Sequence, residues 1–172
     1  MILRPATAAD AAPLARLATD SFVAAFAHLY SAADLAAFLA EHKSEAALAA
    51  LVADPDGRLQ IAERDGTMIA YCKIGFHCSW PDHARGARVM EFKQLYAAAE
   101  ATGSGVGTAL MDWAMTEFAT QGADEVQLSV WSGNHGAQRF YARYGFEKVA
   151  DVTFQVGEQI DEEYLLARQF GA

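Results

Sequence analysis

A glycine-rich turn past the middle of the chain constrains the fold more than any other feature of the sequence. Gly103 and Gly105 fall between an apolar run at Val89–Ala97 and a helical pattern at Val106–Thr120, and Gly107 lies in the first turn of that helix. Glycine lets the backbone turn sharply and lets a ligand come close to main-chain amides. The helix that follows presents unpaired N–H groups and the positive end of its dipole, which favour phosphate. The turn therefore predicts a strand–turn–helix unit that binds a phosphorylated ligand.

The spacing of the turn argues against two common phosphate loops. A nucleoside triphosphate loop needs a lysine after its last glycine, and none follows here. A dinucleotide fingerprint follows the first strand of its unit and needs an acidic residue about 20 residues later. Here the turn lies behind a predicted hairpin and a long strand. On the glycines alone, a purely structural connection and a dinucleotide-binding module of another class both stay open.

Patterns along the rest of the chain predict one domain over residues 1–172. Helices are expected at about 7–29, 31–41, 44–54, 106–120 and 134–144, and strands at 2–4, 59–63, 68–76, 89–97, 125–131, 147–156 and 163–170. Thr7 with Asp10 resembles a capping box, and Asp65-Gly66 is a favoured hairpin turn. The acidic stretch 161–163 is expected to separate the last two strands. Together these elements predict a mixed sheet with helices on its faces.

Composition limits the classes of partner. The formal net charge of −9 argues against nucleic-acid binding, because an acidic surface repels phosphates. That charge suits a cationic substrate such as a polyamine, although solubility alone also explains it. Cys72 and Cys78 suggest no disulfide framework, and with His77 and His83 they match no common zinc spacing, so no metal is expected. No signal-peptide pattern and no apolar run of about 20 residues is present, so we expect a cytoplasmic protein without membrane association.

Two motifs in order carry a resemblance to a known family. The first runs from Leu95-Tyr96-Ala97 through the glycine turn to Leu110, and the second is Asn134-x-x-Ala137-x-x-Phe140-Tyr141-x-x-x-Gly145-Phe146. Together they resemble the GCN5-related N-acetyltransferase (GNAT) superfamily. Within it, bacterial spermidine/spermine acetyltransferases of the Pai type are most similar, through Ser21-Phe22 with Phe26, through 130–146 and through 154–161. Thr102 stands where the family has Gln or Arg, and Ala99 where a proline is usual.

The resemblance implies a fold and a cofactor. The fold is α/β (α+β by some schemes), with a mostly antiparallel mixed sheet, splayed central strands and helices on both faces. The cofactor is acetyl-CoA, released as CoA. The positions that the family pattern assigns to it are Leu95, Tyr96 and Ala97 for the pantetheine arm, Gly103, Ser104, Gly105, Val106, Gly107 and Thr108 for the pyrophosphate, and Asn134 and Tyr141 beside the arm and thiol.

Two side chains match the family's catalytic positions. Tyr141 matches the usual general acid, since a phenol can protonate a thiolate leaving group; a core aromatic is the alternative, and Tyr144 competes for the role. Glu91 matches a glutamate used as base, because an alkyl ammonium is only about 0.04% neutral at pH 7. If the strand alternates, Glu91, Lys93 and Leu95 share one face. Three alternatives stay open: a Glu91–Lys93 ion pair without chemistry, a carboxylate that only attracts a cationic amine, or a water chain acting as base.

The acceptor side is expected to be lined by aromatic residues. Phe22, Phe26, Tyr30 and Trp131 are the candidates, although core packing also explains Phe22 and Phe26. The expected reaction is acetyl transfer to a primary amine by direct attack, with a small molecule such as a polyamine as the acceptor. A protein N-terminus, an amino acid, an antibiotic amine or a non-catalytic acyl-CoA sensor are alternatives. Dimers are common among relatives, so a homodimer is also an expectation.

Overall fold

A computed structural model describes residues 1–170 of the chain. Its helices and strands, in chain order, are β1 (Ile2–Pro5), α1 (Ala11–Phe26), α2 (Ala32–His42), α3 (Glu45–Ala53), β2 (Gly57–Arg64), β3 (Thr67–Gly75), β4 (Val89–Ala97), α4 (Val106–Thr120), β5 (Glu125–Trp131), α5 (His135–Arg143), β6 (Glu147–Val156) and β7 (Gln159–Gln169). The bounds predicted for β4, α4, β5 and β6 agree with those observed.

All seven strands form one sheet in the order β1-β2-β3-β4-β5-β7-β6. Every neighbouring pair is antiparallel except β4 and β5, which are parallel. Helices cover both faces: α4 and α5 pack over one, and α1, α2 and α3 over the other. The predicted fold class, a mixed and mostly antiparallel sheet between helices, is confirmed.

Local sequence explains how the elements begin and turn. Asp65 and Gly66 both have positive φ, 52° and 75°, as a tight hairpin between β2 and β3 requires. The predicted capping box is present, because the Asp10 carboxylate accepts hydrogen bonds from the Thr7 amide and hydroxyl. Arg4 donates two further bonds to Asp10, at 2.8 and 2.9 Å, and thereby joins β1 to the start of α1.

The last strand corrects one expectation. β7 begins at Gln159, so the acidic stretch 161–163 lies inside the strand rather than before it. The turn between β6 and β7 consists of two residues, Gly157 with φ of 59° and Glu158, and β7 starts directly afterwards. Alternation along β7 therefore places Asp161 and Glu163 on the same face of the sheet.

A bulge in β4 corrects another. Lys73 pairs with Gln94 and Ile74 with Phe92, so Lys93 is an extra residue on β4. The bulge reverses the alternation beyond it. Leu95 consequently packs on the α4 face, not on the face of Glu91. The expectation that Glu91, Lys93 and Leu95 share one face was wrong.

Candidate active site

The two parallel strands separate in the middle of the sheet. β4 pairs with β5 only at Val89–Glu125, Met90–Val126 and Glu91–Gln127. Beyond these pairs the strands diverge, and a cavity of about 680 Å³ opens between them. Leu95, Tyr96 and Ala97 line it from β4, and Ser129, Val130 and Trp131 line it from β5. The gap leaves the inner edge of β4 without a strand partner at the residues predicted to hold an extended ligand arm.

The glycine turn exposes a set of unpaired amides. Gly103 and Gly105 have φ of 77° and 85°, and a Cβ built on either would meet nothing within 4 Å. Gly105 is the N-cap of α4 without a side-chain cap, and the first intrahelical bond from this end is donated by Ala109. Within residues 1–170, the N–H groups from Gly105 to Thr108 have no acceptor. This geometry suits an anion such as pyrophosphate.

The neighbouring residues of the turn differ in what they offer. The Ser104 amide is not free, because it donates to the Ala101 carbonyl at 3.2 Å. The Ser104 hydroxyl accepts from the guanidinium of Arg64 at 3.3 Å, which brings a cation to the turn. Thr102 lines the cavity but carries no charge. Arg64 therefore places a positive charge beside the turn, and at a separation of 40 residues no local pattern indicated it.

The two candidate tyrosines have different surroundings. Tyr141 lines the cavity, and its ring packs against those of Phe92, Phe140 and Phe146. Burial raises the pKa of Tyr141 well above its usual value, so the phenol is protonated at neutral pH. Tyr144 lies outside the cavity lining and donates to an Asp112 oxygen at 2.7 Å. Of the two, only Tyr141 faces the cavity with its proton free.

Glu91 does not reach the cavity. It lies where β4 and β5 are still paired, before the strands separate. Its carboxylate accepts hydrogen bonds from the Ser79 amide at 2.9 Å, the Ser79 hydroxyl at 2.6 Å and the Lys93 ammonium at 3.0 Å. Buried and bonded in this way, Glu91 is one half of an ion pair, and the structure does not bring it together with Tyr141.

Comparison with known proteins identifies the family. A family model described as Acetyltransferase (GNAT) family matches residues 18–146. The chain belongs to this family. An N-acetyltransferase of Mycobacterium bovis, described as uncharacterized, is 30% identical over 161 residues, covering 93% of this chain and 97% of that protein. An uncharacterized N-acetyltransferase of Lactobacillus delbrueckii subsp. lactis is 24% identical over 156 residues, covering 88% and 87%.

Solved structures have the same GNAT fold. The PaiA N-acetyltransferase from Thermoplasma acidophilum, crystallised in complex with coenzyme A, has a TM-score of 0.78 at 19% identity, covering 98% of both chains. The Salmonella typhimurium protein yncA, crystallised with acetyl-CoA, has a TM-score of 0.69 at 19% identity, covering 100% of this chain and 95% of that one. The splayed central strands thus belong to an established architecture.

In this GNAT chain, the predicted acceptor-side aromatics line one cavity. Phe22 stacks on Tyr30 with 6.0 Å between ring centroids, and Phe26 meets Trp131 edge-on at 6.4 Å. Phe22 is also only 3% exposed and packs in a small core cluster, so it belongs to the core as well as to the cavity lining. Asn134 lines the same cavity, and its side-chain oxygen accepts from the Ala137 amide to cap α5.

Three charged residues of the cavity were missed from the sequence. Asp161 accepts a hydrogen bond from the Tyr30 hydroxyl, and Glu163 and Lys43 line the same space. Burial raises the pKa of the Glu163 carboxyl, and the charge of Asp161 adds to the rise while a Ser129 hydrogen bond opposes it. Had a start of β7 at Gln159 been predicted from the sequence, the i, i+2 spacing of Asp161 and Glu163 would have placed both carboxylates on one face of the strand. Lys43, between two helices, had no such pattern.

Two features are absent from the described part of the chain. None of its helices is long and apolar enough to cross a membrane. Within residues 1–170, no group of three or more His, Cys, Asp or Glu side chains lies close enough to hold a metal ion.

Proposed function

We propose that this GNAT protein is an acetyl-CoA-dependent N-acetyltransferase that transfers the acetyl group directly to a small primary amine. One observation carries the proposal: the amides from Gly105 to Thr108 are unpaired within residues 1–170 and follow closely on Thr102, which lines the gap between β4 and β5 together with Tyr141. The amides fit the pyrophosphate of the cofactor, and the free edge of β4 fits its pantetheine arm. When bound, acetyl-CoA supplies the acetyl group as a thioester.

Tyr141 is assigned the role of proton donor to the thiolate. Its raised pKa keeps it protonated, and its hydroxyl makes no hydrogen bond within residues 1–170 that would have to break first. A phenol in a water-poor site can give a proton to the developing thiolate or stabilise its charge. Tyr144, bonded to Asp112 outside the cavity, is not assigned a role.

Glu163 is assigned the role of proton acceptor in place of Glu91. The raised pKa of the Glu163 carboxyl makes it a stronger base than an ordinary glutamate. In the balanced reaction the ammonium gives one proton to Glu163, the neutral amine forms the new C–N bond, and the C–S bond breaks. Tyr141 would give its proton to the thiolate, so that CoA leaves as the thiol. The second N–H proton restores Tyr141 through solvent, and Glu163 releases its proton to solvent, so one proton is released in each turnover.

Likeness to other proteins supports the class of acceptor only in outline. The resemblance to spermidine/spermine acetyltransferases favours a small amine, with polyamines among the candidates, and the PaiA N-acetyltransferase shares the fold. The uncharacterized relatives, described as N-acetyltransferases, agree with transfer to nitrogen.

A turnover assay tests the proposal. Purified protein is mixed with acetyl-CoA and a panel of polyamines, amino acids, amino-acid amides and peptides, and thiol release is measured together with the acetylated product. We expect turnover with at least one small amine, and thermal stabilisation by CoA but not by NAD or ATP. Stabilisation by NAD alone would contradict the assignment of acetyl-CoA as the cofactor. Binding of CoA without transfer to any amine would make the protein an acyl-CoA sensor.

A further inference from the structure

A buried lysine in the cavity has no anionic partner. Lys43 follows the C-terminus of α2, is 4% exposed and lines the cavity. Within residues 1–170 its ammonium forms no hydrogen bond or salt bridge. It rests instead on aromatic rings, 4.4 Å from the centroid of Tyr96 and 5.6 Å from that of Phe22. Lysine is almost never fully buried unless paired, because removing an ammonium from water is costly. Lys43 therefore marks a place for an anion.

A carboxylate that lines the same cavity, that of Glu163, has an oxygen without a hydrogen-bond partner among the described residues. The Glu163 oxygen Oε2 is buried and has no hydrogen-bond partner. Glu163 pairs with Trp131 in the sheet, on the β5 side of the gap. Glu163 and Tyr96 line the same cavity, and the charge of Glu163 adds to the effect of burial in raising the pKa of Tyr96. Lys43 and Glu163 thus contribute charges of opposite sign to one cavity.

The other lysine and carboxylate of the lining already have polar partners. Lys93 forms its ion pair with Glu91 at 3.0 Å. Asp161 accepts hydrogen bonds from the Tyr30 hydroxyl and from the Gln159 side-chain amide at 2.8 Å. Among the lysine, arginine and acidic side chains that the described residues contribute to the lining, Lys43 has no hydrogen-bond or ion-pair partner, and Glu163 keeps one buried oxygen without a hydrogen-bond partner.

We infer that the acceptor is a zwitterion, a small primary amine that also carries a carboxylate, whose amine faces Glu163 and whose carboxylate binds the Lys43 ammonium. This inference rests on the proposed function and narrows its substrate class to amino-acid-like molecules. Such a ligand would form charge-assisted hydrogen bonds with both the Lys43 ammonium and the Glu163 carboxylate. A polyamine would satisfy Glu163 but would place a second ammonium beside Lys43, where like charges repel.

The protonation state of Lys43 agrees with this role. Burial lowers the pKa of Lys43 to about 8, so the group is still mostly protonated at neutral pH. A bound carboxylate would raise that pKa again, because an opposite charge favours the charged form. Lys43 is therefore a cation at neutral pH, and an anionic ligand would stabilise its charged form.

Matched acceptors test the inference. L-amino acids are compared with their primary carboxamides and their decarboxylated amines, using kcat/KM from thiol release with acetyl-CoA. We expect the free acids to be preferred by about 10- to 100-fold, the worth of one hydrogen bond between charged groups. In Lys43→Met, which keeps an unbranched chain over the rings, this preference is lost through KM. Lys43→Arg retains a cation and retains a preference for the acid.

A second lysine serves as the control. Lys148 also lies over an aromatic ring, 3.7 Å from the centroid of Tyr164, but it pairs with Asp151 on the surface. Lys148→Met should leave the acid-to-amide ratio unchanged. Thermal unfolding and CoA binding of each variant show whether it is folded.

The outcomes separate the inference from the proposed function. Transfer to amides or plain amines as fast as to acids, or an equal loss for acid and amide in Lys43→Met, would overturn the zwitterion while acetyl transfer stands. Acetylation of Lys43 itself would also overturn it, since the lysine would then be a nucleophile. Absence of transfer to every amine in the panel would remove both proposals together.

Discussion

Replacing Tyr141 by phenylalanine isolates the proton that the proposed mechanism needs. The change removes one hydroxyl and keeps the ring against Phe92, Phe140 and Phe146. Removing a general acid costs about 10²- to 10⁴-fold in rate. At about 1.4 kcal/mol per factor of ten, this is a loss of about 3–5 kcal/mol in transition-state stabilisation. We expect the loss in kcat, with little change in KM for acetyl-CoA.

Stability should change little in the same variant. The Tyr141 hydroxyl makes no hydrogen bond within residues 1–170, so its removal leaves no donor or acceptor unpaired. The free energy of unfolding is therefore expected to change by no more than about 0.5 kcal/mol. Tyr144→Phe is the matched control, because it deletes bonds to Asp112 at 2.7 Å and to the Thr108 carbonyl at 3.3 Å.

The two variants should dissociate activity from stability. Tyr144→Phe is expected to lower the free energy of unfolding by about 0.5–1.5 kcal/mol and to keep kcat. In a domain of this size each kcal/mol shifts the melting temperature by about 2–4 °C. Thiol release and thermal unfolding measure the two effects. Wild-type kcat in Tyr141→Phe, or its loss only in Tyr144→Phe, would refute the assignment of the proton donor.

Three further changes test the base, the cofactor loop and the stability of the fold. Glu163→Gln should lower kcat and abolish its rise with pH, since the raised pKa of Glu163 makes activity appear as that carboxyl deprotonates; Glu91→Gln should keep that rise, and the opposite pattern would restore Glu91 as base. Gly105→Ala should weaken CoA binding, measured by calorimetry, because alanine pays about 1–2 kcal/mol for the left-handed φ that the turn requires. Gly66 has a similar left-handed φ and equally open surroundings, so Gly66→Ala should lower stability but leave the affinity for CoA unchanged. Asp10→Ala should cost about 1–3 kcal/mol of unfolding free energy at pH 7. The arginine bonds hold the pKa of Asp10 far below its usual value, so this difference should be full above about pH 4 and should shrink as the pH falls further; a difference independent of pH would contradict the role of its charge.

The sequence predicted most of the fold because its signals are local. The glycine turn, the Asp65-Gly66 hairpin and the capping box of Thr7 and Asp10 each depend on residues that are close in the chain. The bulge at Lys93 was not predictable in the same way. The bulge is defined only by the pairing of β4 with β3, and the residues near Lys93 do not indicate it in the sequence.

The same reason explains which parts of the site were found. Tyr141, Trp131 and the cofactor turn lie in motifs that fix their positions along the chain. Arg64 and Lys43 reach the cavity or the turn from distant elements, through contacts that only the folded chain creates. Glu163 was hidden by a strand boundary placed four residues too late, where the three consecutive acidic residues resembled a solvated turn.

The separation of β4 and β5 determines which carboxylate can serve as base. Glu91 and Gln127 form the last pair before the strands diverge, so Glu91 lies outside the gap, and Ser79 and Lys93 donate hydrogen bonds to its carboxylate. Glu163 pairs with Trp131 at the far end of β5, where the gap is open. A carboxylate there is partly dehydrated, which raises its pKa, but it remains in contact with the cavity. A general base needs both conditions, and of these two carboxylates Glu163 meets both.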